Sequence, residues 1–193
     1  DVERVSAVHR LIDGRAQLMV DANQQWDRGT AQRFGRIVEP LGLVWIEEPL
    51  DAYDTEGHAA LAAMLDTPVA TGEMLTSVAE HAELIRLRSV DFIQPDAPRV
   101  GGITQALKIM ALADHARLRM APHFAMEIHL HLSAIYPHDT WVEHFEWLEP
   151  MFNERLTIKG GRMHLPDRLG LGFSISEQTR RWTAEKVEVG KRP

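Results

Sequence analysis

The chain of 193 residues contains no cysteine. This absence excludes disulfide bonds, thiolate metal ligands and a cysteine nucleophile, so any bound metal ion must be held by oxygen and nitrogen atoms. It is also typical of a reducing compartment, and we expect a cytoplasmic protein. Long hydrophobic runs are lacking too, since none approaches the roughly 20 apolar residues of a membrane-spanning helix. The sequence therefore predicts no membrane partner.

Basic residues are in the minority. The chain has 21 Lys and Arg residues against 28 Asp and Glu residues, which gives a formal net charge of −7. A nucleic-acid-binding surface needs a basic patch or stripe, so we expect no nucleic acid partner. What is present is an ordinary globular composition, because 45 % of the residues are hydrophobic and can form a sizeable core.

Short apolar runs recur along the chain and alternate with segments of helical periodicity. The runs cover residues 18–20, 43–46, 69–70, 92–93, 118–121 and 141–142. Helical periodicity covers residues 30–38, 55–65, 77–87 and 103–113 between them. Alternation of this kind is typical of parallel strands joined by helices. The sequence predicts an α/β fold, part of a TIM-type (β/α) barrel.

A polar residue follows each apolar run. These residues are Asp21, Glu47, Glu73, Asp96, His123 and Glu143, and successive members are 20 to 27 residues apart. Helix capping is the alternative role for any single position. Parallel strands with helical crossovers place all their carboxyl ends on one face, so six residues in register favour a common site.

Three of these residues are carboxylates on successive strands. Asp21, Glu47 and Glu73 offer hard oxygen ligands without imidazole or thiolate, which favours Mg²⁺, with Mn²⁺ as a substitute. Such an ion acts as a Lewis acid and stabilises negative charge on a substrate carboxylate when a neighbouring C–H bond is deprotonated. Asn23 and Glu48 lie one or two residues beyond these positions. We expect them either to orient the ligands or contact substrate, or to make simple loop hydrogen bonds.

The next two positions suit proton transfer. A hydrogen bond from one imidazole nitrogen of His123 to the Asp96 carboxylate would fix the tautomer and leave the other nitrogen free to exchange a proton. Glu143 could hydrogen-bond a substrate carboxylate or position this pair. His129 and His131 lie two residues apart in a helical segment and diverge by about 200°, so we expect packing or surface roles for them.

The end of the chain has a different pattern. Residues 156–158 and 162–165 flank Lys159, Gly160 and Gly161, which predicts a β-hairpin with glycine in the turn. We therefore divide the chain into a barrel part, residues 1–154, and a C-terminal hairpin and tail, residues 155–193.

Several short strings together resemble the barrel signature of the enolase superfamily, in its mandelate racemase-like branch of acid-sugar dehydratases. They are DAN at 21–23, WIEEP at 45–49, TGE at 71–73, QPD at 94–96, GG at 101–102 and PH at 122–123. The resemblance implies that Asp21, Glu47 and Glu73 bind Mg²⁺. It also implies that His123 is a general acid/base with Asp96 as its partner, and that Glu143 contacts the substrate carboxylate.

The same resemblance implies a reaction. An acid sugar of the galactarate or L-talarate type would lose the proton beside its carboxylate, form an enediolate and expel its β-hydroxyl as water. The product would be a 2-keto-3-deoxy acid. Two alternatives stay open: a racemase or epimerase on the same scaffold, and an inactive barrel fragment that associates with another chain.

Parts of the family's pattern are missing from this sequence. Family members carry a Lys-x-Lys motif on the second barrel strand and an N-terminal capping domain, and neither is found here. By this resemblance the chain corresponds to about the third to eighth βα units, and its hairpin would pack on the missing cap. We expect an N-terminal half or complementary chain as a partner, together with an acid-sugar substrate and a homo-oligomeric state.

Overall fold

A computed structural model describes residues 1–187 of the chain. Its helices are α1 (Val2–Ile12), α2 (Arg28–Val38), α3 (Thr55–Ala62), α4 (Val78–Arg86), α5 (Ile103–His115), α6 (Met126–Ile135) and α7 (Glu177–Trp182). Its strands are β1 (Val20–Asp21), β2 (Ile46–Glu47), β3 (Val69–Thr71), β4 (Phe92–Ile93), β5 (Arg119–Met120), β6 (Thr157–Lys159) and β7 (Arg162–His164). Short 3₁₀ helices cover Glu39–Leu41 and Glu146–Met151.

The first five strands form one parallel sheet in the order of the sequence, from β1 to β5. The register pairs Val20 with Ile46 and Asp21 with Glu47, so neighbouring strands end at the same level. A helix connects each strand to the next, as right-handed parallel crossovers require. The predicted parallel α/β architecture is confirmed.

The predicted sixth strand at 141–142 is wrong. Among the described residues this segment makes only a single parallel bridge, between Thr140 and Met120. Trp141 donates its N–H to the Met120 carbonyl at 3.3 Å, and the segment has a neighbour on that side alone. The chain then turns into the 3₁₀ helix at Glu146–Met151, so a regular ladder does not develop.

Side-chain caps explain where the crossover helices begin. Asp27 accepts a hydrogen bond from Thr30 N at 2.6 Å ahead of α2, and Asp54 accepts one from Gly57 N at 3.0 Å in α3. Ahead of α4, Ser77 Oγ accepts a hydrogen bond from Glu80 N at 3.2 Å, and the Glu80 side chain accepts one from Thr76 N at 2.7 Å. These caps stabilise the helices that hold the strands in place.

The apolar core lies mainly between the helices and the outer face of the sheet. One cluster there includes Leu84 and Ile109, and a second includes Phe34 and Val69. A smaller cluster, which contains Trp45 and Phe92 with ring centroids 4.8 Å apart, packs beneath the strand ends. The residues of this cluster lie in the strands or directly beside them, so apolar packing adjoins the polar strand ends.

The hairpin prediction is confirmed, because β6 and β7 pair antiparallel on either side of Gly160 and Gly161. Both glycines have positive φ angles, 60° and 73°, which a residue without Cβ adopts at little cost. Packing of this hairpin on a capping domain stays a prediction, as does the division at 154. The last six residues of the predicted tail lie outside the described residues. Within residues 1–187 no helix is both long enough and apolar enough to cross a membrane.

Candidate active site

The predicted polar residues lie at the same end of the parallel sheet. Asp21 and Glu47 are the last residues of β1 and β2. Glu73 follows β3 by two residues, while Asp96 and His123 each follow their strands by three. All five strands run in one direction, so these residues lie together at the carboxyl end of the sheet, which we call the rim.

His123 and Asp96 form the predicted pair. The Nδ1 atom of His123 lies 2.8 Å from Asp96 Oδ2, and the second Asp96 oxygen accepts a hydrogen bond from Arg99 N at 3.0 Å. Burial acts to raise the pKa of Asp96, but the hydrogen bonds from His123 and Arg99 outweigh it, so this pKa lies below its usual range. An ionised Asp96 can only accept, which assigns the hydrogen to Nδ1 of His123.

The other imidazole nitrogen faces the carboxylate rim. His123 Nε2 lies 3.6 Å from Glu73 Oε1, which is a contact between charges and too long for a hydrogen bond. Burial acts to lower the pKa of His123, but the hydrogen bond to Asp96 and the charges of Glu73 and Glu143 outweigh it and raise this pKa. The unbonded nitrogen is thus directed to the same space as the carboxylates.

The three predicted metal ligands are partly buried and close enough to repel one another. Burial raises the pKa of Glu47 to about 7, and the charge of Asp21 adds to the effect. Burial likewise raises the pKa of Glu73 to about 7 and also raises that of Asp21. These carboxylates form an acidic centre, and the charge of His123 offsets the effect of burial on Glu73 and Asp21 only in part.

Local donors occupy two of these carboxylates. Asp21 accepts hydrogen bonds from Asn23 N at 2.7 Å and Asn23 Nδ2 at 2.5 Å, and Glu47 accepts one from the indole N–H of Trp45 at 2.8 Å. Across residues 1–187, no three His, Asp or Glu side chains stand together as they would to hold a metal ion. The all-oxygen donor set and its negative charge suit Mg²⁺. The structure therefore brings the three carboxylates to one rim but not into a ligand cluster.

Glu143 contacts the loop that carries His123. Its Oε2 accepts a hydrogen bond from the backbone N–H of Phe124 at 2.5 Å. This bond agrees with the positioning role considered for Glu143, and its contact with a substrate carboxylate stays a prediction.

Glu48 is more deeply buried than the neighbouring Glu47. Its Oε2 accepts a hydrogen bond from Gln24 at 2.9 Å, while its Oε1 is buried without a hydrogen-bond partner among the described residues. Burial raises the pKa of Glu48. Asn23 and Glu48 both have positive φ angles, 45° and 36°, a strained backbone that clusters at functional sites.

Sequence reasoning missed three supporting side chains at this rim. Gln24 joins two loops, since it donates to Glu48 and accepts from Ala52 N at 3.1 Å. Trp45 and Gln94 both hydrogen-bond Glu47. The signal for these last two was available, because each stands two positions before a predicted site residue and side chains two apart share one face of a strand.

A cavity of about 230 Å³ opens beside these residues. Its lining includes the polar residues Asp21, Glu47, Gln94 and Glu143 and the aromatic residues Trp45 and Trp141. The two tryptophan rings meet edge to face with centroids 6.1 Å apart. Acidic groups next to an apolar wall make a concave site for a small polar molecule.

A parallel half-barrel with its polar residues at the strand ends is the architecture of an enolase-type barrel domain. Residues 1–179 match the family described as enolase C-terminal domain-like, and the chain belongs to this family. The predicted partial TIM-type barrel is thereby confirmed.

Comparison with individual proteins gives more specific similarities than the family match. The chain is 63 % identical over all 193 residues to the L-talarate/galactarate dehydratase of Salmonella typhimurium, of which it covers 48 %. It superposes with a TM-score of 0.96 on the L-talarate dehydratase of a Polaromonas species, solved with Mg and L-glucarate, at 64 % identity and with 54 % of that chain covered. A 3,6-anhydro-alpha-L-galactonate cycloisomerase of Streptomyces coelicolor is 33 % identical over 91 % of this chain. The chain spans about half the length of the curated relatives it matches.

Proposed function

We propose that the chain is the C-terminal barrel half of a Mg²⁺-dependent dehydratase that acts on an acid sugar of the galactarate or L-talarate type. The observation that carries this proposal is the direction of His123, which is bonded to Asp96 through Nδ1 and turns Nε2 to the carboxylate rim. Support comes from the 63 % identity to a dehydratase with these substrates in its name.

In this reaction the substrate loses one proton from the carbon beside its carboxylate and one hydroxyl from the next carbon. The enol so formed then tautomerises to a 2-keto-3-deoxy acid, and the other product is one molecule of water. Asp96 keeps the hydrogen of His123 on Nδ1, so Nε2 takes or delivers the proton at the substrate. The hydrogen bond of Glu143 to Phe124 N holds the loop of His123 in place.

Asp21, Glu47 and Glu73 would hold Mg²⁺. The ion, when bound, supplies Lewis acidity that stabilises the negative charge developing on the substrate carboxylate. Asn23 would orient Asp21, to which it donates two hydrogen bonds. Glu48 would orient the ligands or contact the substrate.

A partner for the chain follows from its sheet. Within the described residues β1 pairs only with β2, so its other edge is unpaired. We infer that an N-terminal half supplies the missing strands. A cytoplasmic location and a homo-oligomeric state are further parts of the proposal.

The test is a chimera in which this chain replaces the matching half of the Salmonella typhimurium dehydratase. Purified chimera is incubated with Mg²⁺ and galactarate, L-talarate or glucarate, and the 2-keto-3-deoxy product is measured. We expect product from at least one substrate. His123→Asn should abolish turnover, whereas His138→Asn, at an exposed histidine outside the site, should not.

Two results would overturn the proposal. One is a folded chimera that binds Mg²⁺ but releases no product. The other is exchange of the α-proton in D₂O without dehydration, which would instead identify a racemase or epimerase.

A further inference from the structure

His129 is a fully buried histidine with hydrogen bonds at both ring nitrogens. It lies on α6, outside the set of strand-end residues, and its relative exposure is 0 %. Its Nδ1 is 3.1 Å from the carbonyl oxygen of Phe124, and its Nε2 is 3.0 Å from the backbone nitrogen of Ala97. These two partners directly follow His123 and Asp96 in the sequence.

The partners fix the state of the ring. A carbonyl oxygen only accepts, so Nδ1 of His129 must carry a hydrogen and donate it to Phe124. A backbone N–H only donates, so Nε2 must be the unprotonated acceptor for Ala97. His129 is therefore a neutral imidazole with both nitrogens satisfied, a state that burial favours by lowering its pKa.

The two bonds connect the loop after β4 to the loop after β5. The Asp96–His123 hydrogen bond spans the same two loops and depends on their separation. The backbone of this region is also joined by hydrogen bonds from Ala121 N to Ile93 O at 3.1 Å and from His123 N to Pro95 O at 3.3 Å, both on the strand side of the dyad. His129 thus fixes the backbone on both sides of the dyad.

The loop of His123 needs such support. Phe124 has a φ angle of +55°, a left-handed conformation that is rare for a bulky residue and persists only where neighbours hold it. Both its peptide groups are held, because Glu143 accepts its N–H and His129 donates to its carbonyl.

We propose that His129 is a positioning residue, which sets the distance between Asp96 and His123 by holding Ala97 and Phe124 at once. Its effect on turnover rests on the proposed function, whereas its effect on the Asp96–His123 hydrogen bond does not. Substitution of His129 should therefore loosen that bond even in the absence of substrate.

The first measurement is proton NMR of the 193-residue chain. The Nδ1–H of His123, bonded to a carboxylate, should give a downfield resonance that is assigned by its loss in His123→Asn. His129→Phe keeps a buried ring but removes both hydrogen bonds, and we expect the resonance to disappear. His129→Gln keeps one donor and one acceptor, and we expect it to restore the resonance.

The matched control is His58→Phe. His58 is also fully buried and also bonds a backbone carbonyl through Nδ1, that of Asp54 at 3.0 Å, but this bond stays within the α3 region. A role of His129 in packing alone would let both Phe variants lower the melting temperature and keep the His123 resonance. That result, or equal loss of the resonance in both variants, would overturn the proposal.

Two measurements keep the test decisive if His129→Phe does not fold. In the wild-type chain, an ¹⁵N–¹⁵N coupling across the hydrogen bond between Ala97 N and His129 Nε2 should be detectable, and its absence would contradict the proposal. The milder variant His129→Asn retains a donor near Phe124 and reaches less far toward Ala97. It should broaden the His123 resonance, and an unchanged resonance would count against the proposal.

The chimera supplies the kinetic arm. There His129→Phe should lower kcat by about 100-fold, the order expected for a misplaced catalytic group, with a much smaller change in KM. His129→Gln should recover most of the loss. If the parent chimera is inactive, the proposed function fails while the NMR result still decides the role of His129. If His129→Phe retains full kcat, the proposal that His129 positions the dyad for catalysis is refuted.

Discussion

Buried neutral histidines make the stability of this chain sensitive to mild acid, and His58 allows the effect to be isolated. Its ring is fully buried on α3, Nδ1 bonds the Asp54 carbonyl, and Nε2 has no hydrogen-bond partner among the described residues. Burial lowers the pKa of His58, and the hydrogen bond to Asp54 and the charges of Asp54 and Asp51 oppose this only in part. Protonation would place a new N–H donor at Nε2 without an acceptor.

The sign of the effect follows from the direction of this shift. The unfolded chain binds a proton at His58 below the ordinary histidine pKa of about 6.5, and the folded chain binds it only at lower pH. His58 therefore contributes stability above that pKa, which is lost as pH falls through the window between the two pKa values. Proton binding to the unfolded chain, with the ordinary pKa of about 6.5, limits the loss between pH 7.5 and 5.5 to at most about 1.4 kcal/mol.

The assay is urea unfolding of the wild-type chain and His58→Phe at both pH values. The variant has a constant stability offset but lacks this titration, so subtraction removes the contributions of every other titrating group. We expect the wild-type chain to lose up to about 1.4 kcal/mol more than the variant on acidification. Equal losses in both proteins, or a larger loss in the variant, would refute the reasoning.

Three further predictions concern the dyad, the carboxylates and the core. In the chimera, Asp96→Asn should lower kcat by about 10⁴-fold, because an amide N–H facing Nδ1 forces the hydrogen to Nε2; retention of a tenth of the activity would contradict this. Glu73→Gln should weaken Mg²⁺ binding at least about 10-fold by calorimetry, with the exposed Asp51→Asn as control, and equal affinities would exclude Glu73 as a ligand. Leu84→Ala, at a fully buried position, should cost about 2–5 kcal/mol in urea unfolding. The exposed Leu11→Ala should stay within about 0.5 kcal/mol, and a similar cost for both would contradict the assigned core.

The parts of the fold that could be predicted are those with a local cause. Buried parallel strands appear as short apolar runs, and their crossover helices begin at capping residues such as Asp27, Asp54 and Ser77. The run at 141–142 had the same local pattern as the others. It did not become a strand because ladder formation depends on a neighbour, which one bridge to Met120 provides only in part.

The candidate site also has a part that could be predicted from local sequence and a part that could not. The position of each strand-end residue follows from the strand direction, so the rim that contains Asp21, Glu47 and His123 could be predicted. The supporting contacts could not, because they join loops far apart in the sequence. His129, for example, is 32 residues from Ala97, and neither residue type nor spacing marks the pair.

The Asp96–His123 dyad and the three carboxylates are held by different kinds of contact. The dyad is held by bonds that all lie within this chain, through Arg99, Glu143 and His129, and so its geometry is already formed. The Asp21 carboxylate is instead bonded to its near neighbour Asn23, and its charge repels that of Glu47. Under the proposed function Asp21, Glu47 and Glu73 would hold Mg²⁺, and its charge would offset this repulsion. Dyad formation should accordingly be independent of Mg²⁺, whereas the arrangement of the carboxylates should depend on it.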